Sequence, residues 1–217
     1  MSDRNHTLDE AVSCMKSNNV VGSVFVQCYN DCPEETEWVL EQAKHSDTVL
    51  GVVAGLDLVK HQKMKEAIEK FRMMSGPKFV GVRYLFPWVG EDYLYREDVQ
   101  KGLQILSDNS LTFDWHSMTS GEYIFEIFNN TIKFFFQGTP STIKHIPMIA
   151  TKFPNLKIVI NHIAKPFQID FKTWASEMEE AGKFNNVYCK LSGLNDEEKF
   201  YDEHQLKPYI EKCLGKK

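Results

Sequence analysis

Leu-Lys-Ile-Val-Ile-Asn-His-Ile-Ala-Lys-Pro, residues 156–166, opens as a buried strand and closes on polar groups. Ile158, Val159 and Ile160 are β-branched and apolar on both parities, the pattern of a strand covered on both faces. The run then stops at Asn161 and His162, with Lys165 and Pro166 just beyond. Other strand-length runs repeat this layout at Ser23–Cys28, Val49–Leu56, Lys78–Val82, Leu111–Trp115 and Val187–Leu191. Amphipathic stretches predicted as helices lie between them: Glu35–His45, His61–Met73, Arg96–Asp108, Ser141–Lys152 and Phe171–Ala181. Asp, Ser and Thr near several of their starts suit N-caps, and Pro140 suits a first turn. Strand alternating with helix predicts right-handed βαβ units and a parallel sheet, open or closed into a barrel. A nucleotide-binding open sheet needs a glycine-rich turn after a strand, and none of these strands is followed by one. Periodicity does not separate the two architectures, so the polar residues have to.

Each predicted strand ends in polar residues. Gln27 closes the first and Asp57 follows the second, while Arg83 closes the third. Asp114 and His116 end the fourth, His162 the fifth, and Lys190 with Ser192 the sixth. Residues two apart share a face of a strand. Arg83 then lies with Gly81 and Phe79, His162 with Ile160 and Ile158, and Asp114 with His116 and Thr112. Taken singly, Gln27, Asp57 or Ser192 reads as a turn residue or helix cap. Asp114 and His116 read equally as a loop brace, and His162 equally as a hydrogen-bonded core histidine. Arg83 needs a partner for its charge and suits an anion. Six strands with polar groups at the same end point instead to one mouth, because catalytic groups of a parallel barrel collect at the C-terminal ends of its strands.

The 217 residues carry 25 Lys and Arg against 30 Asp and Glu, a formal charge of -5, which argues against bulk attraction to nucleic acid. No run approaches the ~18 apolar residues of a membrane span. Met1–His6 lacks the apolar core of a secretory signal, so a cytoplasmic location with reduced thiols is expected. Cys28 and Cys32 stand near each other, but no second Cys/His pair follows at a zinc-site spacing. One segment breaks the alternation: residues 121–137, Gly-Glu-Tyr-Ile-Phe-Glu-Ile-Phe-Asn-Asn-Thr-Ile-Lys-Phe-Phe-Phe-Gln, hold six Phe or Tyr and no clean helical period. They read either as an extra apolar helix or hairpin on a barrel rim, or as a stretch foreign to the fold and a site of association.

Two longer motifs, 156–166 and Asn-Val-Tyr-Cys-Lys-Leu-Ser-Gly-Leu (186–194), resemble the amidohydrolase-2 family, in particular its sugar-lactone hydrolases acting on fucono-, rhamnono- and related aldonolactones. Val-Phe-Val-Gln (24–27), Gly-Val-Val-Ala-Gly-Leu-Asp-Leu (51–58), Phe-Val-Gly-Val-Arg (79–83) and Leu-Thr-Phe-Asp (111–114) follow in the family's order. The resemblance covers most of the chain apart from 117–139. It implies a single α/β domain over 1–217, a (β/α)8 TIM-type barrel present as about six βα units, whose mouth hydrolyses a cyclic ester. Two family segments have no match: an Asp-x-His-x-His-type first strand, and a Gly-Ser-Asp-Trp-Pro-type last strand whose aspartate acts as general base or metal ligand. The chain therefore reads as truncated at both ends: a fragment, a splice variant or a divergent gene model.

By the same resemblance His162 polarises the lactone carbonyl, or ligates a metal in metal-using relatives. Arg83 and Lys190 complete the catalytic set, placed for a carboxylate, a hydroxyl or the developing oxyanion. Gln27, Asp57, Asp114, His116, Lys165 and Ser192 bind substrate. Trp88 offers a ring face to a sugar, and Trp115 does so or packs the core. No bound metal or other cofactor is expected, because the early histidines and the final aspartate are missing. The expected partner is a small sugar lactone or sugar acid, with no nucleic acid, no membrane, and self-association through open barrel edges. A sugar-acid binder without turnover, a non-functional truncated product, and an amidase or decarboxylase of the same superfamily are the competing readings.

Overall fold

The computed structural model describes residues 7–28, 33–84, 91–115, 124–128, 131–135, 143–166, 169–194 and 201–215. The chain divides into two compact units, Met1–Asp57 with Gln62–Arg83, and Leu58–His61 with Tyr84–Lys217.

In the first unit α1 (Leu8–Ser17), α2 (Pro33–Lys44) and α3 (His61–Ser75) alternate with β1 (Ser23–Val26), β2 (Val49–Gly55) and β3 (Phe79–Tyr84). The strands run parallel in the order β1-β2-β3, with Val24 opposite Gly51 and Gly55 opposite Arg83. Helix α2 buries Thr36, Val39, Leu40 and Ala43, and α3 buries Met64, Ile68, Phe71 and Ser75. Spacings of three and four put each set on one helical stripe, which is why these segments cover a sheet. Phe71 meets Phe79 of β3 edge-on at 5.4 Å. The Lys78 ammonium donates to the Ala43 and Ser46 carbonyls, closing the end of α2 where carbonyls lack helical partners.

The second unit holds α4 (Glu97–Asp108), β4 (Thr112–Trp115), β5 (Ile124–Phe128), β6 (Thr131–Phe135), α5 (Ile146–Lys152), β7 (Ile158–Ile160), α6 (Phe171–Ala181), β8 (Val187–Cys189) and α7 (Glu203–Cys213). Its parallel strands run β4-β7-β8, pairing Trp115 with Ile160 and Ile160 with Cys189. The core centres on Trp115, Phe113, Trp174, Ile149, Leu156 and Ile158, all under 2% exposed. Gly102 of α4 is required by contact: a Cβ there would lie 2.2 Å from the Leu58 carbonyl oxygen. Asn186 donates to the carbonyls of Ala150, Phe153 and Leu156 at 3.0–3.3 Å, tying the end of α5 to the start of β8.

In each unit parallel strands alternate with helices as predicted, the βα pattern of an incomplete TIM-type barrel fold. The break at 121–137 contains a hairpin: β5 and β6 pair antiparallel with Glu126 opposite Lys133. The prediction of two-face coverage needs correcting at the strands with one parallel neighbour each among the described residues. Val24 of β1 and Tyr188 of β8 are each 50% exposed. Helices α1 and α7 lie outside the predicted set; both bury no residue, so neither writes a strong apolar stripe into the sequence. Each is started by a capping box, Thr7 with Glu10 and Asp202 with Gln205. The predicted helix over Ser141–Lys152 forms as a short 3-10 turn, Ile143–His145, leading into α5.

Candidate active site

The segment after β7 departs from strand geometry at once. His162 (φ 54, ψ 41), Ile163 (φ 43, ψ 33), Ala164 (φ 57) and Lys165 (φ 50, ψ 65) are four consecutive non-glycine residues in the left-handed region. Each costs about 1–2 kcal/mol, so the turn persists only where its surroundings hold it. Ile163 is held twice: its N–H donates to the Lys190 carbonyl at 3.1 Å, and its carbonyl accepts from Trp174 Nε1 of α6 at 2.8 Å. Lys165 N–H donates to the His162 carbonyl at 2.9 Å, and Ile163 and Ala164 are buried. This corrects the predicted facing of His162. Because β7 ends at Ile160, strand parity with Ile158 and Ile160 does not set the direction of the imidazole; the left-handed turn does.

The end of β8 seats that imidazole. His162 Nδ1 and Ser192 Oγ share a hydrogen bond at 2.9 Å. Gly193 has φ +66, and a Cβ on it would stand 2.6 Å from His162 Cβ and 2.9 Å from Cγ. The Lys190 ammonium forms an ion pair with the Asp114 carboxylate of β4. The Asp114 side chain is 2% exposed and the Lys190 side chain 32%. A buried carboxylate is tolerable only with such a partner, whereas an ammonium with three donors keeps capacity toward solvent or a ligand. The Lys190 main chain joins the two pairs: its N–H donates to Ile160, and its carbonyl accepts from Ile163 and Ser192.

In the first unit Arg83 Nη1 donates to the Gln27 main-chain carbonyl at 2.7 Å, and both residues are buried. Gly55 leaves space for the Gln27 side chain, since a Cβ there would meet its Cδ at 2.7 Å. Asp57 stands half-buried two residues past β2. The structure thus brings together His162 with Ser192, Lys190 with Asp114, and Arg83 with the Gln27 main chain, while Lys165 ends the left-handed turn. Trp88 and His116 lie outside the described residues. Trp115 is 1% exposed and packs edge-on against Phe113 at 6.1 Å, so it serves the core.

Two positioning residues, Trp174 and Gly193, and one buried amide, Asn161, escaped the sequence reading. Trp174 sits in an amphipathic helix and looks like core, and nothing in its spacing announces a hydrogen bond to a strained turn. Gly193 was the more legible, as a glycine directly after a polar strand end. Asn161 is 3% exposed, and its Nδ2 has no hydrogen-bond partner among the described residues. No three His, Cys, Asp or Glu side chains come together as a metal site among the described residues. No described helix is long and apolar enough to cross a membrane.

Parallel βα units with a histidine, a lysine and an aspartate at strand C-termini define a barrel protein of the kind that gathers its chemistry at that end. The chain belongs to the amidohydrolase family, whose model matches residues 3–214. It is 26% identical over 184 residues to an L-fucono-1,5-lactonase of Burkholderia ambifaria, covering 82% of this chain and 54% of that protein. The chain thus spans about half the length of that curated relative. Among solved structures it is similar to an amidohydrolase from Burkholderia multivorans crystallised with HEPES, at a TM-score of 0.75 and 20% identity over 98% of this chain and 70% of that one. The 5-carboxyvanillate decarboxylase of Sphingomonas paucimobilis shares the fold at a TM-score of 0.60 and 13% identity, covering 96% of this chain and 70% of that one.

Proposed function

We propose that the chain carries the hydrolytic chemistry of a sugar lactonase, opening an aldonolactone by attack of water. The observation that carries this reading is the pairing of an oriented imidazole, His162 on Ser192, with an anchored ammonium, Lys190 on Asp114, at neighbouring strand ends of one unit. The likeness to an L-fucono-1,5-lactonase supports the ester class.

Water adding to a lactone carbonyl carbon puts negative charge on the carbonyl oxygen. Lys190, fixed by Asp114 and reaching toward solvent, donates to that oxygen, an effect that typically supplies about 10²–10³ in rate. In the tautomer that donates Nδ1–H to Ser192, His162 takes the proton from water at Nε2, an effect worth about 10²–10⁴ in rate. The tetrahedral intermediate then breaks its bond to the ring oxygen, His162 returns the proton there, and a hydroxy acid is left. Gln27, Asp57 and Arg83 are proposed to bind hydroxyl or carboxylate groups, each from the end of its own strand. The test is proton release from a panel of five- and six-carbon aldonolactones, corrected for spontaneous hydrolysis. Turnover that falls at least about 100-fold in His162→Asn supports the mechanism.

One observation favours a second reading. Lys190 engages the Asp114 carboxylate, which holds that carboxylate as an ion-pair partner and not as a base for water. A protein that binds aldonic acids at Lys190 without turnover would show calorimetric binding of the acid and no proton release from the lactone.

A further inference from the structure

A cavity of about 500 Å³ opens at the N-terminal ends of β7 and β8, the opposite end of these strands from His162 and Lys190. It lies within the second unit, between the end of α5, the turn 154–157 that leads into β7, and the turn 184–186 that leads into β8. Its size is that of a small-molecule site, which combines apolar walls with a few placed polar groups. Ala150, Pro154 and the rings of Phe184 and Tyr188 supply the walls. Phe184 is half-buried, and Tyr188 is 50% exposed although it belongs to a strand.

The polar groups around it are fixed in place and unspent. Asn186 gives its side-chain N–H groups to the Ala150, Phe153 and Leu156 carbonyls, which pins its carboxamide against the end of α5. Its Oδ1 takes no hydrogen bond among the described residues and stays available to a donor. The turn that carries it is closed by the Val187 N–H, which donates to the Phe184 carbonyl at 3.1 Å, and is tied to β7 by the Ile158 N–H on the Asn186 carbonyl at 2.8 Å. Lys157 and Asn185 are exposed, and neither side chain has a partner among the described residues. Of the described residues lining the cavity Lys157 is charged, and none is acidic.

We propose that this cavity is a binding site for a small hydroxylated aromatic carboxylate. A cation with no acid beside it selects an anion, and an ammonium and a carboxamide N–H are the donors a carboxylate takes up. Lys157 and Asn185 receive that carboxylate. Phe184 and Tyr188 pack on the ring, where offset or edge-on aromatic contacts are favourable. The ligand hydroxyl donates to Asn186 Oδ1. A polyol is the poorer fit, because its hydroxyls would be pressed against the ring and proline walls without partners. This site stands apart from His162 and Lys190, and it does not depend on the lactonase reading.

The experiment titrates 4-hydroxybenzoate into the isotope-labelled full chain and follows the backbone amide resonances. Saturable shifts at Lys157, Asn185 and Tyr188, with none at Ile163, Lys165 or Ser192, are the expected result. The expected dissociation constant is about 1 mM, the range open to a ligand of about ten non-hydrogen atoms. The neutral analogue 4-hydroxybenzamide keeps the shape and loses the charge, and binds at least about threefold more weakly. Lys157→Gln weakens the carboxylate by a similar factor and leaves the benzamide unchanged. Shifts centred on 162–165 and 190–193 would put the anion at the candidate active site and overturn the proposal. So would the absence of saturation at concentrations about tenfold above the expected constant, or equal binding of acid and amide. The spectrum of the parent chain locates the ligand by itself, so it decides the matter even where Lys157→Gln fails to fold.

Discussion

His162 is fixed from three directions: by its own left-handed backbone, by Ser192 at Nδ1, and by Gly193 against its Cβ. Gly193→Ala adds a methyl group where 2.6 Å is available and forces a side chain into positive φ. Its expected effects are a stability loss of about 1–2 kcal/mol in urea and a larger functional one, at least about tenfold in kcat/KM, because the methyl pushes directly on the imidazole. The Lys190–Asp114 pair yields an asymmetric prediction. Lys190→Met strands a carboxylate that is 2% exposed and costs about 3–5 kcal/mol, whereas Asp114→Asn leaves a partly solvated ammonium and costs about 1–2 kcal/mol. Urea midpoints for the two variants check the order; equal losses would mean that the pair is less buried than described. At this scale the sequence offered candidate residues but not whom they meet. A lysine and an aspartate 76 positions apart carry no signal of pairing until the strand order places β4, β7 and β8 side by side.

The element that decides the site is the turn between β7 and α6. Its four left-handed residues rest on one indole hydrogen bond and on one main-chain bond that Ile163 donates to Lys190, just past β8. Trp174→Phe keeps most of the packing but leaves the Ile163 carbonyl buried without its donor, at a cost of about 1–3 kcal/mol. Faster hydrogen exchange at the Ile163 and Lys165 amides, relative to α4, should accompany it. The start of α6 adds a pH signature. Asp170 caps the helix by accepting from Thr173, which holds its carboxyl below the usual aspartate range. A group whose folded pKa is depressed lends stability above its unfolded pKa and loses it as pH falls through the folded value. The melting-temperature gap between the parent chain and Asp170→Asn should therefore be wider at pH 7 than at pH 3; a gap independent of pH would assign the cap no charge component. Strand parity applies to Arg83 and Asp114, which lie inside β3 and β4, and fails for His162, which lies beyond the end of β7. A two-residue period holds only while the chain stays extended.

For the molecule as a whole, the alternation of apolar runs and amphipathic stretches was enough to specify parallel βα units. Burial dictates it: strands covered by helices must be apolar, and covering helices must carry a stripe. The same logic explains what the pattern overstated. Val24 and Tyr188 are as apolar or aromatic as interior strand residues, yet they are half-exposed on β1 and β8. Composition reports the capacity of a residue for burial, and the number of neighbouring elements decides whether burial occurs. The hairpin of β5 and β6 was legible as a break in the alternation and as one of two structures, helix or hairpin, between which a Phe-rich segment does not choose.

In the proposed chemistry His162 and Lys190 are the groups that hydrolyse a cyclic sugar ester. Its most direct test is the initial rate of proton release from a 1,5-aldonolactone by the parent chain and by His162→Asn, both verified by cooperative melting. Saturable hydrolysis above the spontaneous rate in the parent, falling at least about 100-fold in the variant, is the predicted result. A parent rate no faster than spontaneous hydrolysis, or a variant that keeps the parent's rate, would contradict it.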